Sequence, residues 1–197
     1  MNNISQNIRQ EEKLHSEKNV AKIPTKDIVC TGMFAAVLAI LSQISVPIPL
    51  GVPITMQTFA VALIGFILAW KLGAASTLIY ILLGAVGVPV FTGFKGGAQV
   101  LVNYTGGFIW GFVIMVILCG IATTQTNKVI AALLSMAGLA VCHLFGVIQF
   151  MLVMNRGFVE SFFLASAPYI IKDIISVIIA YIIGSQIRKR LLKAGLL

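Results

Sequence analysis

The sequence predicts an all-α membrane protein, a bundle of six transmembrane helices with a Gly-rich folded-in loop between the third and fourth and with both termini cytoplasmic. Three observations predict it. Hydrophobic residues make up 59% of the 197 and charged residues 10%, with a mean hydropathy of +1.01, more apolar surface than a soluble domain of this length can bury. The charge is segregated: of 14 basic and 6 acidic side chains, nine lie in residues 1–27 and four in 188–193, leaving seven for the 160 residues between. The apolar residues also fall in runs near the ~20 residues that a helix needs to cross a bilayer core about 30 Å thick.

Taken in order, residues 1–27 read as a polar cytoplasmic tail, without the short apolar run and small-residue cleavage site of a signal peptide. Ile28–Val46 is the first helix. Pro47, Pro49 and Pro53, with Gly51 among them, stop it and make a short outer connection. Thr55–Trp70 is the second helix, closed by Lys71 and Gly73, and Ala74–Val86 the third, broken by Gly87-Val88-Pro89. The stretch Gly87–Gly107 holds six glycines together with Lys95, Gln99 and Asn103, a composition that disfavours a lipid-facing helix. Irregular backbone at membrane depth is tolerated only where protein buries it or where it lines a cavity, so this stretch is expected to fold inwards. Phe108–Ala122, Val129–Met154 and Tyr169–Ile187 are helices four to six, so residues 28–187 form one transmembrane domain and 188–197 a basic cytoplasmic end.

The net charge of +8 does not signal nucleic acid, because the basic residues flank apolar runs, where they set orientation. The tail (Arg9, Lys13, Lys18, Lys22, Lys26), Lys71, Lys128 and the C-terminal Arg188, Lys189, Arg190 and Lys193 make 11 basic residues on one side, against Lys95 and Arg156 on the other. The positive-inside rule then places both termini in the cytoplasm and gathers the Pro-rich loop, the Gly-rich loop and the loop around Arg156 and Glu160 at the outer face. Cys30, Cys119 and Cys142 are widely spaced in apolar segments and read as small buried hydrophobes. His15 lies in the tail and His143 in an apolar run with no second ligand one turn away. No metal site, catalytic residue or cofactor is expected.

Ionisable residues inside the membrane are costly and are functional candidates by default, and only Lys172 and Asp173 qualify. They follow Ser166-Ala-Pro168, where Pro168 suits a first helical turn and Ser166 a cap. Adjacent helical residues point ~100° apart, so each of the pair is expected to need its own partner. Lys172 either snorkels to headgroups or faces a polar pocket to which Gln57, Gln99, Asn103, Tyr104, Thr105 and Tyr169 also belong. Phe91, Phe94, Tyr104, Phe108 and Tyr169 form either an interfacial belt or the walls of that pocket. On helix one Gly32, Ala35, Ala36 and Ala39 make overlapping small-xxx-small pairs, which serve either packing within the bundle or the close approach of another helix.

Taken together, Pro53-Ile-Thr-Met-Gln57-Thr-Phe, Leu83-Gly-Ala-Val-Gly87-Val-Pro89-Val-Phe91, Tyr104-Thr105-Gly106-Gly107-Phe108 and Ala167-Pro168-Tyr169 with the later Asp173 resemble the BioY family. These are the biotin-specific subunits of energy-coupling factor (ECF) transporters, and the resemblance runs from about Ile28 to Gln186. It implies high-affinity biotin binding and uptake as an S component in a bacterial cytoplasmic membrane, with biotin as bound substrate. The implied partners are a membrane coupling subunit, met through Ala35 and Ala39, and two ATPase subunits. The implied binding residues are Asp173, Lys172, Asn103, Tyr104, Thr105, Gln57, Phe91, Gln99 and Tyr169. Where the family usually reads Gly-Pro-Thr this chain has Asn103-Tyr104-Thr105, and where it reads Pro-Gly-Asp-x-x-Lys this chain has Ile171-Lys172-Asp173 and then Ser176. Residues 172 and 176 share a helix face, so Lys172 would supply the cation from one turn higher.

The chain lacks a Gly-x-x-x-x-Gly-Lys-Ser/Thr loop, so active import draws on ATPases elsewhere. An S component for another vitamin is one alternative. Another is an intramembrane enzyme with His143 or Asp173 as base, although no Gly-x-Ser-x-Gly or His-Glu-x-x-His supports it.

Overall fold

Among the described residues four helices are long and apolar enough to cross a membrane, and a fifth, Gly106–Ala122, is apolar but shorter. A computed structural model describes residues 24–48 and 52–197. The tail's Arg9, Lys13, Lys18, Lys22 and His15, and Pro49 and Gly51 of the first connection, lie outside the described residues.

The order of elements is α1 (Thr25–Ser42), β1 (Ser45–Val46), β2 (Ile54–Thr55), α2 (Gln57–Ala85), α3 (Gln99–Val102), α4 (Gly106–Ala122), α5 (Lys128–Met154), α6 (Phe158–Ala165) and α7 (Ala167–Lys193). Helix α1 starts inside the expected tail and ends sooner than expected. Ser45 and Val46 leave the helix and pair antiparallel with Thr55 and Ile54, in keeping with the extended backbone that Pro47 imposes on the residue before it.

The second and third expected helices are the two arms of α2, which meet at a break at Ala69, whose backbone is left-handed (φ 60°, ψ −173°). A non-glycine residue there carries a strain of order 1–3 kcal/mol and persists only where its surroundings hold it. Two contacts do so. Gly120 of α4 lies against the break, where a β-carbon would come within 2.6 Å of Trp70 Cα. Arg188 of α7 donates from Nη1 to the Ile67 carbonyl at 2.7 Å, supplying a donor to one of the acceptors left where the first arm ends.

Helices α4 and α5 approach closely at Gly111, where a β-carbon would lie 2.7 Å from Cys142 Cα. Phe66 on α2 meets Tyr181 on α7 edge-to-face at 5.3 Å, and the central side chains Leu38, Ile64, Phe66, Met115 and Val116 are fully buried.

One further element departs from expectation. The stretch after Met154 is not a loop: Asn155 ends α5 in a left-handed conformation and Phe158–Ala165 forms the short helix α6, with Glu160 in its first turn paired to Arg156. The Gly-rich stretch is irregular except for the single turn α3. It is tied to the end of α1, because the Val90 carbonyl accepts from Ser42 Oγ (2.5 Å) and Gln43 Nε2 (3.0 Å), while the Phe94 N–H donates to Gln43 Oε1 (2.8 Å).

Candidate binding cavity

At the end of the bundle away from Ala69, a cavity of ≈ 290 Å³ opens beneath the β1–β2 connection, between the Gly-rich loop and the start of α7. Its size is near the lower end for small-molecule sites. Asp173, Lys172, Asn103, Tyr104, Thr105, Gln57, Phe91 and Tyr169 all line it. Gln99 does not. Two residues after Gly97 at φ +100°, it is exposed on α3 and its amide donates to the Gly96 carbonyl at 2.8 Å.

Asp173 is the deepest charged group, 4% exposed. Its Oδ2 lies 3.3 Å from His143 Nε2, and Lys172 Nζ makes an ion contact with Oδ1. That contact corrects the expectation that consecutive residues cannot meet. The four-carbon lysine stem turns its ammonium back to the neighbouring carboxylate. Oδ1 is itself fully buried and, among the described residues, has no hydrogen-bond donor beyond that ion contact, so a carboxylate lone pair is left for a further donor.

Lys172 Nζ also donates to the Thr55 carbonyl at 2.9 Å, and Tyr169 OH donates to the Val52 carbonyl. Both side chains therefore fasten the β2 segment to α7 above the cavity, and Lys172 is turned inwards and not towards headgroups. Gln57 is spent on the wall: Nε2 donates to Tyr80 OH at 2.9 Å, and Oε1 accepts from Thr92 Oγ1 at 3.0 Å. Phe91, 1% exposed, meets Tyr80 edge-to-face at 5.4 Å, and Tyr104 meets Phe150 at 5.9 Å. Phe94 is not part of the wall, being 72% exposed.

Asn103 sits at the rim, where its Oδ1 accepts from the Tyr104 N–H and its carbonyl accepts from Gln149 Nε2. Lys95, on the bridge it forms with Phe91, stands exposed at the rim with no ion-pair partner among the described residues. Lys95, Thr92 and His143 are cavity residues absent from the sequence expectation. For His143 the available signal was the demand of a membrane-embedded Asp173 for a donor.

Helix α1 separates the two small-residue pairs. Ala35 is 2% exposed and Ala39 packs against the core, so these two serve the bundle itself. Gly32 and Ala36 are exposed, and a β-carbon on Gly32 would meet nothing within 4 Å.

The model of the BioY family matches residues 11–193. The chain is 37% identical over 163 residues to a probable biotin transporter BioY of Pyrococcus horikoshii, covering 83% of this chain and 96% of that protein. It is 34% identical over 169 residues to the biotin transporter BioY of Thermotoga maritima, with coverage of 83% and 96%. Among solved structures, the S-component for biotin from an ECF-type ABC transporter is similar with a TM-score of 0.76 and 25% identity, covering 83% of this chain and 91% of that one.

Proposed function

The chain belongs to the BioY family, and on that premise we propose that it is a multi-pass membrane protein that binds biotin in the cavity at the start of α7 and takes it up as the S component of an ECF-type importer. The observation that carries the site is Asp173: a buried carboxylate in the cavity lining, with Oδ2 on His143 and Oδ1 in ion contact with Lys172. The ureido ring of biotin presents two N–H donors and a carbonyl, and a carboxylate accepts from such donors strongly.

In this reading the ureido ring lies deep, with its N–H on Asp173 Oδ1 and its carbonyl towards Lys172. The thiophane ring and valeryl chain pass the walls of Phe91, Tyr104 and Tyr169, and the biotin carboxylate reaches the rim, where Lys95 has no ion-pair partner among the described residues and Asn103 offers a side-chain amide. With ~16 heavy atoms, nanomolar binding needs about −0.8 kcal/mol per atom, which a compact pocket supplies.

The same reading makes six membrane crossings of α1, the two arms of α2, α4, α5 and α7, with residues 28–187 as the substrate-binding domain. It gives the protein a membrane coupling subunit and two ATPase subunits as partners. The exposed Gly32 and Ala36 face of α1, and not Ala35 and Ala39, is the docking face for the coupling subunit, because only there can a second helix approach. Mass spectrometry of the small molecule released on denaturing protein purified from biotin-grown cells tests the substrate. Biotin in near-stoichiometric amount is expected, and another vitamin in its place overturns the assignment.

A further inference from the structure

Ser76 and Ser135 return their hydroxyls to the carbonyls of Leu72 and Ala131 one turn back, the usual fate of serine inside a helix. Ser166 does not. It sits at the junction of α6 and α7, expected as the cap of the last helix, yet its hydroxyl makes no cap bond and lies 2.8 Å from His143 Nδ1 on α5. The other ring nitrogen of His143 faces Asp173 Oδ2 at 3.3 Å. The three residues are 0%, 8% and 4% exposed in the order Ser166, His143, Asp173. The edge-to-face ring of Phe108, 5.9 Å away, holds the imidazole from a third side.

We propose that His143 is a positioning residue for Asp173, oriented by Ser166, and that this chain of three side chains fixes the carboxylate so that Oδ1 is presented to the ligand. An imidazole whose Nδ1 is occupied by a hydroxyl directs Nε2 to the carboxylate, since the partner of one ring nitrogen sets the role of the other. With Oδ2 held there, rotation of the carboxyl group is blocked, and Oδ1 is the oxygen left on the Lys172 side for a ligand donor. The short helix α6 thereby acquires a role in binding without touching the ligand, because its C-terminal residue Ala165 hands directly to Ser166. The proposal rests on the biotin reading for its ligand and on the ligand-free geometry for the chain itself.

Two measurements on the full chain in detergent micelles test it. In titration calorimetry, His143→Ala is expected to weaken biotin by ~10-fold or more, whereas His143→Gln, whose amide donates from a similar position, stays within ~3-fold of wild type, and Ser166→Ala falls between. In an Asp173→Asn background, His143→Ala is expected to add less than ~2-fold, since residues acting through one group are not additive. Independent multiplication of the two losses, or His143→Ala binding as wild type, overturns the proposal.

The second measurement needs no ligand. The ring nitrogen resonances of His143, assigned by their loss in His143→Gln, are expected to shift in both Asp173→Asn and Ser166→Ala, and unmoved resonances overturn the chain. If the wild type binds no biotin in the titration, the substrate assignment fails and the resonances alone decide the positioning role. If His143→Ala does not fold, His143→Gln, Ser166→Ala and the resonances decide it.

Discussion

Lys172 and Asp173 are consecutive on α7 and form an ion pair, although their Cβ atoms leave the helix in directions ~100° apart. The lysine stem spans that angle, and the ammonium then has capacity left for the Thr55 carbonyl at 2.9 Å. One further turn up, Tyr169 fastens Val52, so the ion pair and the tyrosine close the β2 segment over the cavity from one helix.

Asp173→Asn tests the deep end of the cavity. It keeps the shape, removes the charge and weakens acceptance, and charge-assisted hydrogen bonds are worth roughly 1.5–3 kcal/mol each. Biotin affinity is expected to fall by at least ~10-fold, about 1.4 kcal/mol, by titration calorimetry on protein that elutes as wild type. Unchanged affinity would remove α7 from the site and leave recognition to the Gly87–Gly107 loop.

Lys172 and Lys95 are separated by a comparison of biotin with its neutral amide. Lys172 is engaged by Asp173 and Thr55, so Lys172→Ala is expected to weaken acid and amide alike, by roughly 3- to 10-fold, as loss of a hydrogen bond to the ureido carbonyl and of the β2 fastening would. Lys95→Ala is expected to weaken the acid by ~3-fold and leave the amide unchanged, in line with a solvent-exposed charge pair. A selective loss of the acid in Lys172→Ala would place the biotin carboxylate at the deep end.

On α1, Gly32→Leu with Ala36→Leu adds bulk to an exposed face and is expected to abolish co-purification with the coupling subunit and uptake, with biotin retained by the isolated protein. Ala35→Leu instead overpacks a site that is 2% exposed and is expected to cost roughly 1–3 kcal/mol of stability, read as a lower unfolding temperature. Should Ala35→Leu leave stability intact and block only complex formation, the exposed and buried faces of α1 have been assigned the wrong way round.

Apolar run length located α4, α5 and α7 in the sequence to within a few residues, because lipid demands continuous internal hydrogen bonding and a fixed span. It did not reveal α6, eight residues too short for a span, nor the β1–β2 pairing, which joins two dipeptides too short to show an alternating pattern. Lys172, Asp173 and Tyr169 were legible because ionisable and polar residues within apolar runs are rare. His143 was not: its partners Ser166 and Asp173 are on other elements, and spacing along one helix carries no trace of them. Gln99 lies outside the cavity lining and Ala35 inside the bundle, positions that composition could not give, since it says that a loop is polar or a helix face small but not which side turns inwards.

Orientation in the membrane follows from which end of the bundle carries the basic residues. Lys71 adjoins the Ala69 break, Gly120 packs on that break, and Arg188 reaches Ile67 beside it, so Lys71, the α4–α5 connection and the end of α7 share one end. Lys95 and the cavity belong to the opposite end. By the positive-inside rule the first end is expected to be cytoplasmic and the cavity to open outwards. In a variant lacking Cys30, Cys119 and Cys142, an impermeant thiol reagent added to intact cells is expected to label Thr126→Cys poorly and Lys95→Cys well, both residues being exposed. Gly96 is a poorer reporter, because a β-carbon there would run into the Gly87 carbonyl at 2.6 Å. Labelling of Thr126→Cys with protection of Lys95→Cys would invert the topology and turn the cavity towards the cytoplasm.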